Sequence, residues 1–251
     1  IWFEHSAIVW QTNRCDLFED CPGDRFTNWG SEEEDKVSTL RHAGQARITF
    51  SLPVFDRFYL QDCHGELDIG TGVARLWVRS EFGFVSFEAL IDYEADVLHF
   101  RLETELTEPD APWLCMERFG SRTFSHWYSL VRRDSSIGLL PTEAVVEPDA
   151  AGLTVQLSGR EFSFGGTVSE AAYERVNSCT VAARLASQER HSLTGTIGCT
   201  APVEQGSWDE LRQTLAEADW KTAQSRTADG WREFWQRLYV DYGDDYQSSL
   251  Y

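Results

Sequence analysis

Two short segments carry residue types that bind polar substrates. The first, Asn13-Arg14-Cys15-Asp16, sets an amide, a guanidinium and a carboxylate side by side at the end of an apolar strand. Such a set can grip sugar hydroxyls, and it can equally pin the loop that follows. The second runs from Arg118 through Gly120, Arg122 and His126 to Tyr128. As an extended strand it places Phe124, His126 and Tyr128 on one face and Ser125, Trp127 and Ser129 on the other. An indole that stacks on a sugar face beside Arg and His donors suits a carbohydrate or a carboxylate. The plainer reading is a core strand whose polar groups pair internally.

Other chemistries leave no trace. Glycosidic cleavage needs an acid and a base or nucleophile, but none of the 41 carboxylates sits in a distinctive motif. No G-x-S-x-G is present, and Gly165-Gly166 belongs to no phosphate loop. His126 has no second His or Cys at ligand spacing, so no metal site is expected. No cofactor is implied. The six cysteines form no C-x-x-C pair. Cys15 and Cys21 could bridge across Pro22-Gly23, with buried free thiols the alternative.

The elements that must position these groups read as β-structure. Ala7, Val9 and Gln11 alternate with Ile8, Trp10 and Thr12, and a loop is expected over residues 20–44. Strands follow at 46–50, 66–69, 73–79, 84–92 and 97–106, the second and third joined by Gly70-Thr71-Gly72. Over 97–106 the alternation is clearest, with Leu98, Phe100, Leu102, Thr104 and Leu106 opposite His99, Arg101, Glu103 and Glu105. Further strands are expected at 113–118, 143–147, 153–158, 161–168, 180–186 and 192–197, with a short helical excursion at Tyr173–Val176. Roughly ten to fourteen short strands before residue 207 predict a mainly β chain, an antiparallel supersandwich of two large packed sheets.

The tail changes period. Ser207-Trp208-Asp209-Glu210 is a capping-box pattern. Trp208, Leu211, Leu215 and Ala218 then follow at helical spacing. After a break containing Thr, Ser, Asp and Gly, a second helix is expected near Asp229. It carries Trp231, Phe234, Trp235 and Leu238 at i, i+3, i+4 and i+7. Three large aromatic side chains on one helix face call for a broad apolar partner. The expected division is therefore a sandwich domain over 1–206 and a helical linker over 207–251.

Composition narrows the partners. The chain has 251 residues, 13% aromatics and a formal charge of −19. That charge opposes nucleic acid, whose phosphates demand a Lys/Arg surplus, and anionic membranes. No apolar run reaches the ~18 residues a spanning helix needs. The sequence opens on Ile1 rather than Met, so an N-terminal piece is expected to precede it. An extracellular or periplasmic location is expected.

The order of short motifs resembles a known family. After Asn13-Arg14-Cys15-Asp16 and a Trp-containing acidic loop come Leu40-Arg41-His42-Ala43-Gly44-Gln45, Pro53-Val54-Phe55, Tyr59-Leu60-Gln61 and Gly65-Glu66-Leu67-Asp68. Arg118-Phe119-Gly120-Ser121-Arg122 and the Trp231–Tyr239 exit helix complete the series. This resembles the N-terminal domain of multidomain glycoside hydrolases similar to the inverting α-L-fucosidase family. There a β-supersandwich, a helical linker and an (α/α)6 barrel follow in order. The resemblance implies that the catalytic carboxylates lie in a barrel beyond Tyr251, so no catalytic residue is expected within this chain.

What the resemblance implies is a scaffold that packs on the catalytic barrel of the same polypeptide and edges the cleft for an oligosaccharide or glycoside. Asn13, Arg14, Asp16, Arg118, Arg122, His126 and Trp127 are the candidates for that edge. Trp231, Phe234, Trp235 and Leu238 are those for packing between domains. Two other readings stay open: a stand-alone carbohydrate-binding module built on Trp127, and a mutarotase-like epimerase using His99 or His126.

Overall fold

A computed structural model describes residues 1–21, 37–118, 142–157, 160–200 and 206–238. Fourteen strands form two antiparallel sheets among these residues. The smaller sheet has the order β1 (Trp2–Glu4), β2 (Ala7–Cys21), β3 (Val37–Thr49), β8 (Trp113–Glu117), β13 (Thr180–Arg184) and β12 (Ala172–Asn177). The larger has the order β4 (Leu60–Asp68), β5 (Val73–Ser80), β6 (Gly83–Ile91), β7 (Leu98–Asp110), β14 (Gln188–Cys199), β11 (Arg160–Val168), β10 (Ala151–Leu157) and β9 (Thr142–Val146). The two-sheet architecture expected from the alternating pattern is therefore present.

The core lies between the sheets. Ile8, Trp10, Ala46, Ile48, Leu114 and Met116 of the smaller sheet face Leu76, Val78, Phe87, Phe100, Leu102, Phe162 and Phe164 of the larger. Trp10 meets Phe100 and Phe87 at ring separations of 5.6 and 5.8 Å. Each ring removed from water contributes about 1.5–3 kcal/mol, which selects the strand register in which these rings point inward.

Several expectations are corrected. The Asn13–Asp16 cluster does not end its strand. β2 continues to Cys21, and its pairing with β3 slips between Asn13 and Phe18, so the polar residues form an irregularity within a long ribbon. The loop expected to reach residue 44 gives way to β3 at Val37. Tyr173–Val176 lies in strand β12, not in a helix. There the Tyr173 hydroxyl accepts from the Val168 amide at 2.7 Å, and the pairing of β12 with β13 supplies the backbone bonds a helix would otherwise make.

Two helices lie on the outer face of the larger sheet. Helix α1 (Trp208–Glu217) opens with the expected capping box: Ser207 Oγ accepts from the Glu210 amide, and Glu210 accepts from the Ser207 amide at 2.8 Å. Its Trp208, Leu211 and Leu215 pack with Val97 and Ala150. Gly165 and Gly198 admit it, since a Cβ there would meet Trp208 at 2.6 Å and Leu211 at 2.9 Å.

Helix α2 spans Trp220–Leu238 and so starts a full nine residues before Asp229. Of the residues that read as a break, Thr227 and Gly230 belong to its buried face, while Thr222 and Ser225 are exposed. Trp220 and Ala223 pack on Val73 and Leu90. Thr227 Oγ1 donates to the Ile91 carbonyl at 3.1 Å and accepts from the Tyr93 amide at 3.3 Å. A Cβ at Gly230 would sit 2.7 Å from the Tyr93 ring. Small residues are what permit this close approach, and tertiary packing outweighs their modest helix propensity.

Candidate functional site

The backbone of the first segment singled out for sugar contact and the opening residue of the second, Arg118, lie near each other in the smaller sheet. Asn13 pairs opposite His42 on β3, Thr12 opposite Gly44, and Gln45 of β3 opposite Glu117 of β8. Arg118 directly follows Glu117. Asn13 and Arg118, more than a hundred positions apart in sequence, therefore share a rim where β8 ends against the continuing β2–β3 ribbon. The backbones of Asn13, Arg14 and Asp16 belong to it, while their side chains lie outside the described residues. Arg122, His126 and Trp127 also lie outside the described residues.

Arg118 is the exception, with a described side chain. It is only 7% exposed, and its guanidinium lies 5.1 Å from the centre of the Phe162 ring between the sheets. Its amide donates to the Cys179 carbonyl at 2.9 Å. These contacts make it a closing residue of the core at this end.

His99 occupies a different place. It lies on the outer face of β7, is 2% exposed and sits beneath Trp220, the ring centres 6.4 Å apart. Its Nε2 lies 4.0 Å from Asp92 Oδ2. Burial pushes the imidazole below its ordinary 6.5, against the opposing pull of Asp92. A side chain so covered is not placed to exchange protons with a substrate. Asp92, 1% exposed, accepts from Arg226 of α2 and from the Glu94 amide, so the pair fastens the helix to the β6–β7 turn. Cys63, Cys115 and Cys179 are free thiols, and burial pushes the Cys115 thiol up to about 11. No group of three or more His, Cys, Asp or Glu side chains is arranged for a metal ion among the described residues.

The aromatic stripe of α2 is half covered. Trp235 Nε1 donates to the Ile69 carbonyl at 2.7 Å, and its ring stacks on Trp231 at 5.9 Å. Trp231 leans on Gly72, whose φ of +70° is the left-handed conformation the turn requires. Asp68 stabilises that turn. Its side chain accepts from the Thr71 hydroxyl at 2.7 Å and the Gly70 amide at 2.9 Å, which holds its carboxyl below the usual range. Outside this contact the surface stays apolar: Phe234 is 39% exposed and Leu238 59%, next to Leu67, Ile69, Ile91 and Tyr93 at 60–64%. A groove of about 450 Å³ runs between Trp231, Trp235 and these turns. Sequence periodicity identified the stripe, but the turn residues that extend the patch gave no comparable signal.

Register ties the rim and the patch together. Across the larger sheet Asp68 pairs with Val73, Ile91 with Leu98, Leu98 with Ile197, and Ile197 with Gly166, beyond which β11 leads back to Phe162. Phe162 underlies Arg118. The apolar turns and the polar rim thus face the same end of the sandwich.

These features define an antiparallel double-sheet sandwich with two helices docked on its outer face. No family model and no curated protein matches the chain. Solved structures do. A chain assigned as a kojibiose phosphorylase from the human microbiome aligns over 76% of this chain and 26% of its own, at 11% identity and a TM-score of 0.44. A bacterial glucoamylase crystallised with acarbose aligns over 92% of this chain and 41% of its own, at 8% identity and a TM-score of 0.45. A family GH92 α-mannosidase from Bacteroides thetaiotaomicron aligns over 94% and 30%, at 8% identity and a TM-score of 0.29. The structural neighbours thus include glycoside-active enzymes, and the chain spans well under half the length of each. Chemistry does not transfer with so distant a shape.

Proposed function

We propose that the chain is the non-catalytic N-terminal domain of a glycoside hydrolase, packing on an (α/α)6 catalytic barrel of the same polypeptide. The carrying observation is the apolar surface at the end of α2, where Phe234 and Leu238 join Leu67, Ile69, Ile91 and Tyr93 in solvent. Contiguous exposed apolar groups of this kind mark interaction sites. The motif series of the inverting α-L-fucosidase family supplies the identity of the partner. The Asn13–Asp16 backbone lies toward the same end, which is where a scaffold would edge an oligosaccharide cleft, with Arg118 closing the core beneath it. The substrate is a glycoside, and neither nucleic acid nor an anionic membrane is a partner of so acidic a chain.

Amide hydrogen exchange tests this reading. Trp231–Leu238 should exchange at least about tenfold more slowly in the protein that carries the barrel than in the 251-residue chain. Equal exchange in the two, or glycoside hydrolysis by the 251-residue chain itself, would overturn it.

A further inference from the structure

We propose that the cavity under the α1–α2 connection is a binding site for a neutral sugar unit, separate from both the rim and the apolar patch. The cavity measures about 510 Å³ and opens on the outer face of the larger sheet, between β7, β11, β14 and the two helices. That volume suits a monosaccharide or a short oligosaccharide. The inference does not depend on the scaffold reading, because it uses none of the residues on which that reading stands.

Its lining mixes apolar side chains such as Val168, Leu215 and Trp220 with charges that balance, Arg101 and Arg212 against Asp149 and Asp219. Each group has a structural task that leaves part of it unused. Arg212 donates from Nε and Nη2 to Asp149 Oδ1 at 3.1 and 2.8 Å, which ties α1 to the β9–β10 turn. The bonds spare Arg212 Nη1 and Asp149 Oδ2. Asp219 caps α2 through Oδ2 alone, accepting from the Thr222 amide and hydroxyl at 2.8 Å each. Its Oδ1 is left over.

Arg101 is the most telling member. Its guanidinium lies 4.2 Å from the centre of the Trp220 ring. That stack holds the plane of the fork in place without consuming its N–H donors. Glu88, its neighbour across the strands, is instead bonded to Arg75 at 2.9 Å. On the adjoining strands Thr167 and Thr196 share one hydroxyl hydrogen at 2.8 Å, so the other hydroxyl hydrogen of the pair remains to be given.

Fixed donors set opposite fixed acceptors match vicinal hydroxyls, which donate and accept at neighbouring carbons. An apolar ligand would strand these charges. An anion would meet two carboxylates inside a chain of net charge −19. A neutral polyol fits both constraints.

The test titrates the 251-residue chain with D-glucose, D-galactose, D-mannose and L-fucose, followed by saturation-transfer NMR and calorimetry. At least one sugar should bind saturably with a Kd of about 1 mM. Arg101→Gln and Asp219→Asn should each weaken it about tenfold. Thr194→Val, at the cavity wall, should also weaken it should either charge variant fail to fold. Trp235→Ala, which lies outside the cavity, should leave the affinity unchanged. The proposal is overturned by an absence of saturable binding, by binding that survives the cavity variants, or by preferential binding of D-glucuronate. None of these outcomes bears on exchange protection at Trp231–Leu238, so the two readings fail separately.

Discussion

His99 illustrates how the meaning of a residue depends on what covers it. On β7 it alternates with the core residues and should be wet, like Glu103 and Glu105 further along. Trp220 instead caps it, and Asp92, Asp219 and Arg226 are the charged groups that act on it. Burial favours the neutral ring, so the folded chain takes up this proton only below 6.5. The unfolded chain then binds more protons in that range, and stability falls as pH drops through it. The expected result is a urea midpoint that declines as pH falls through and below 6.5, with a shallower decline in His99→Gln. Equal slopes would show that His99 is not the group responsible. Asp68 and Asp219 add a separate loss at more acid pH, as each falls through a pKa held below 3.8.

At the scale of elements, α2 shows that a helix is held by the residues that look least helical. Thr227 supplies a donor to the Ile91 carbonyl and an acceptor for the Tyr93 amide, and is itself buried. Thr227→Val keeps the shape and removes both bonds, leaving backbone polar groups unpaired. The cost should be about 1–3 kcal/mol in chemical denaturation. A loss below about 0.5 kcal/mol would mean that water replaces the hydroxyl there. The capping box of α1 was legible from Ser207 and Glu210 alone, because its bonds are local. The start of α2 was not, because Trp220, Ala223, Thr227 and Gly230 reveal their common face only against Val73, Leu90 and Tyr93.

For the whole molecule the question is what the sandwich leans on. In the 251-residue chain Trp235 is half-buried and holds one hydrogen bond, to Ile69. Trp235→Ala there should cost about 1–2 kcal/mol. On the proposed packing, the same change in a protein that carries the barrel should cost about 3–5 kcal/mol, as for a fully enclosed tryptophan. Equal costs measured in both would remove the stripe from the domain interface. The polar rim stands at the same end as this surface, an arrangement that follows from strand register across both sheets rather than from any one motif.

Period-two alternation and the switch to helical spacing after Ser207 were enough, by themselves, to determine a double antiparallel sheet followed by helices. Those patterns record which side of each element is dry, and dryness is a local property of the chain. Tertiary structure alone decided that Asn13 and Arg118 share an end, that Arg118 closes the core over Phe162, and that His99 lies under Trp220. It also decided that Arg101, Arg212, Asp149 and Asp219 line one cavity. Each of these depends on contacts between residues far apart in the chain, which hydrophobic spacing does not encode.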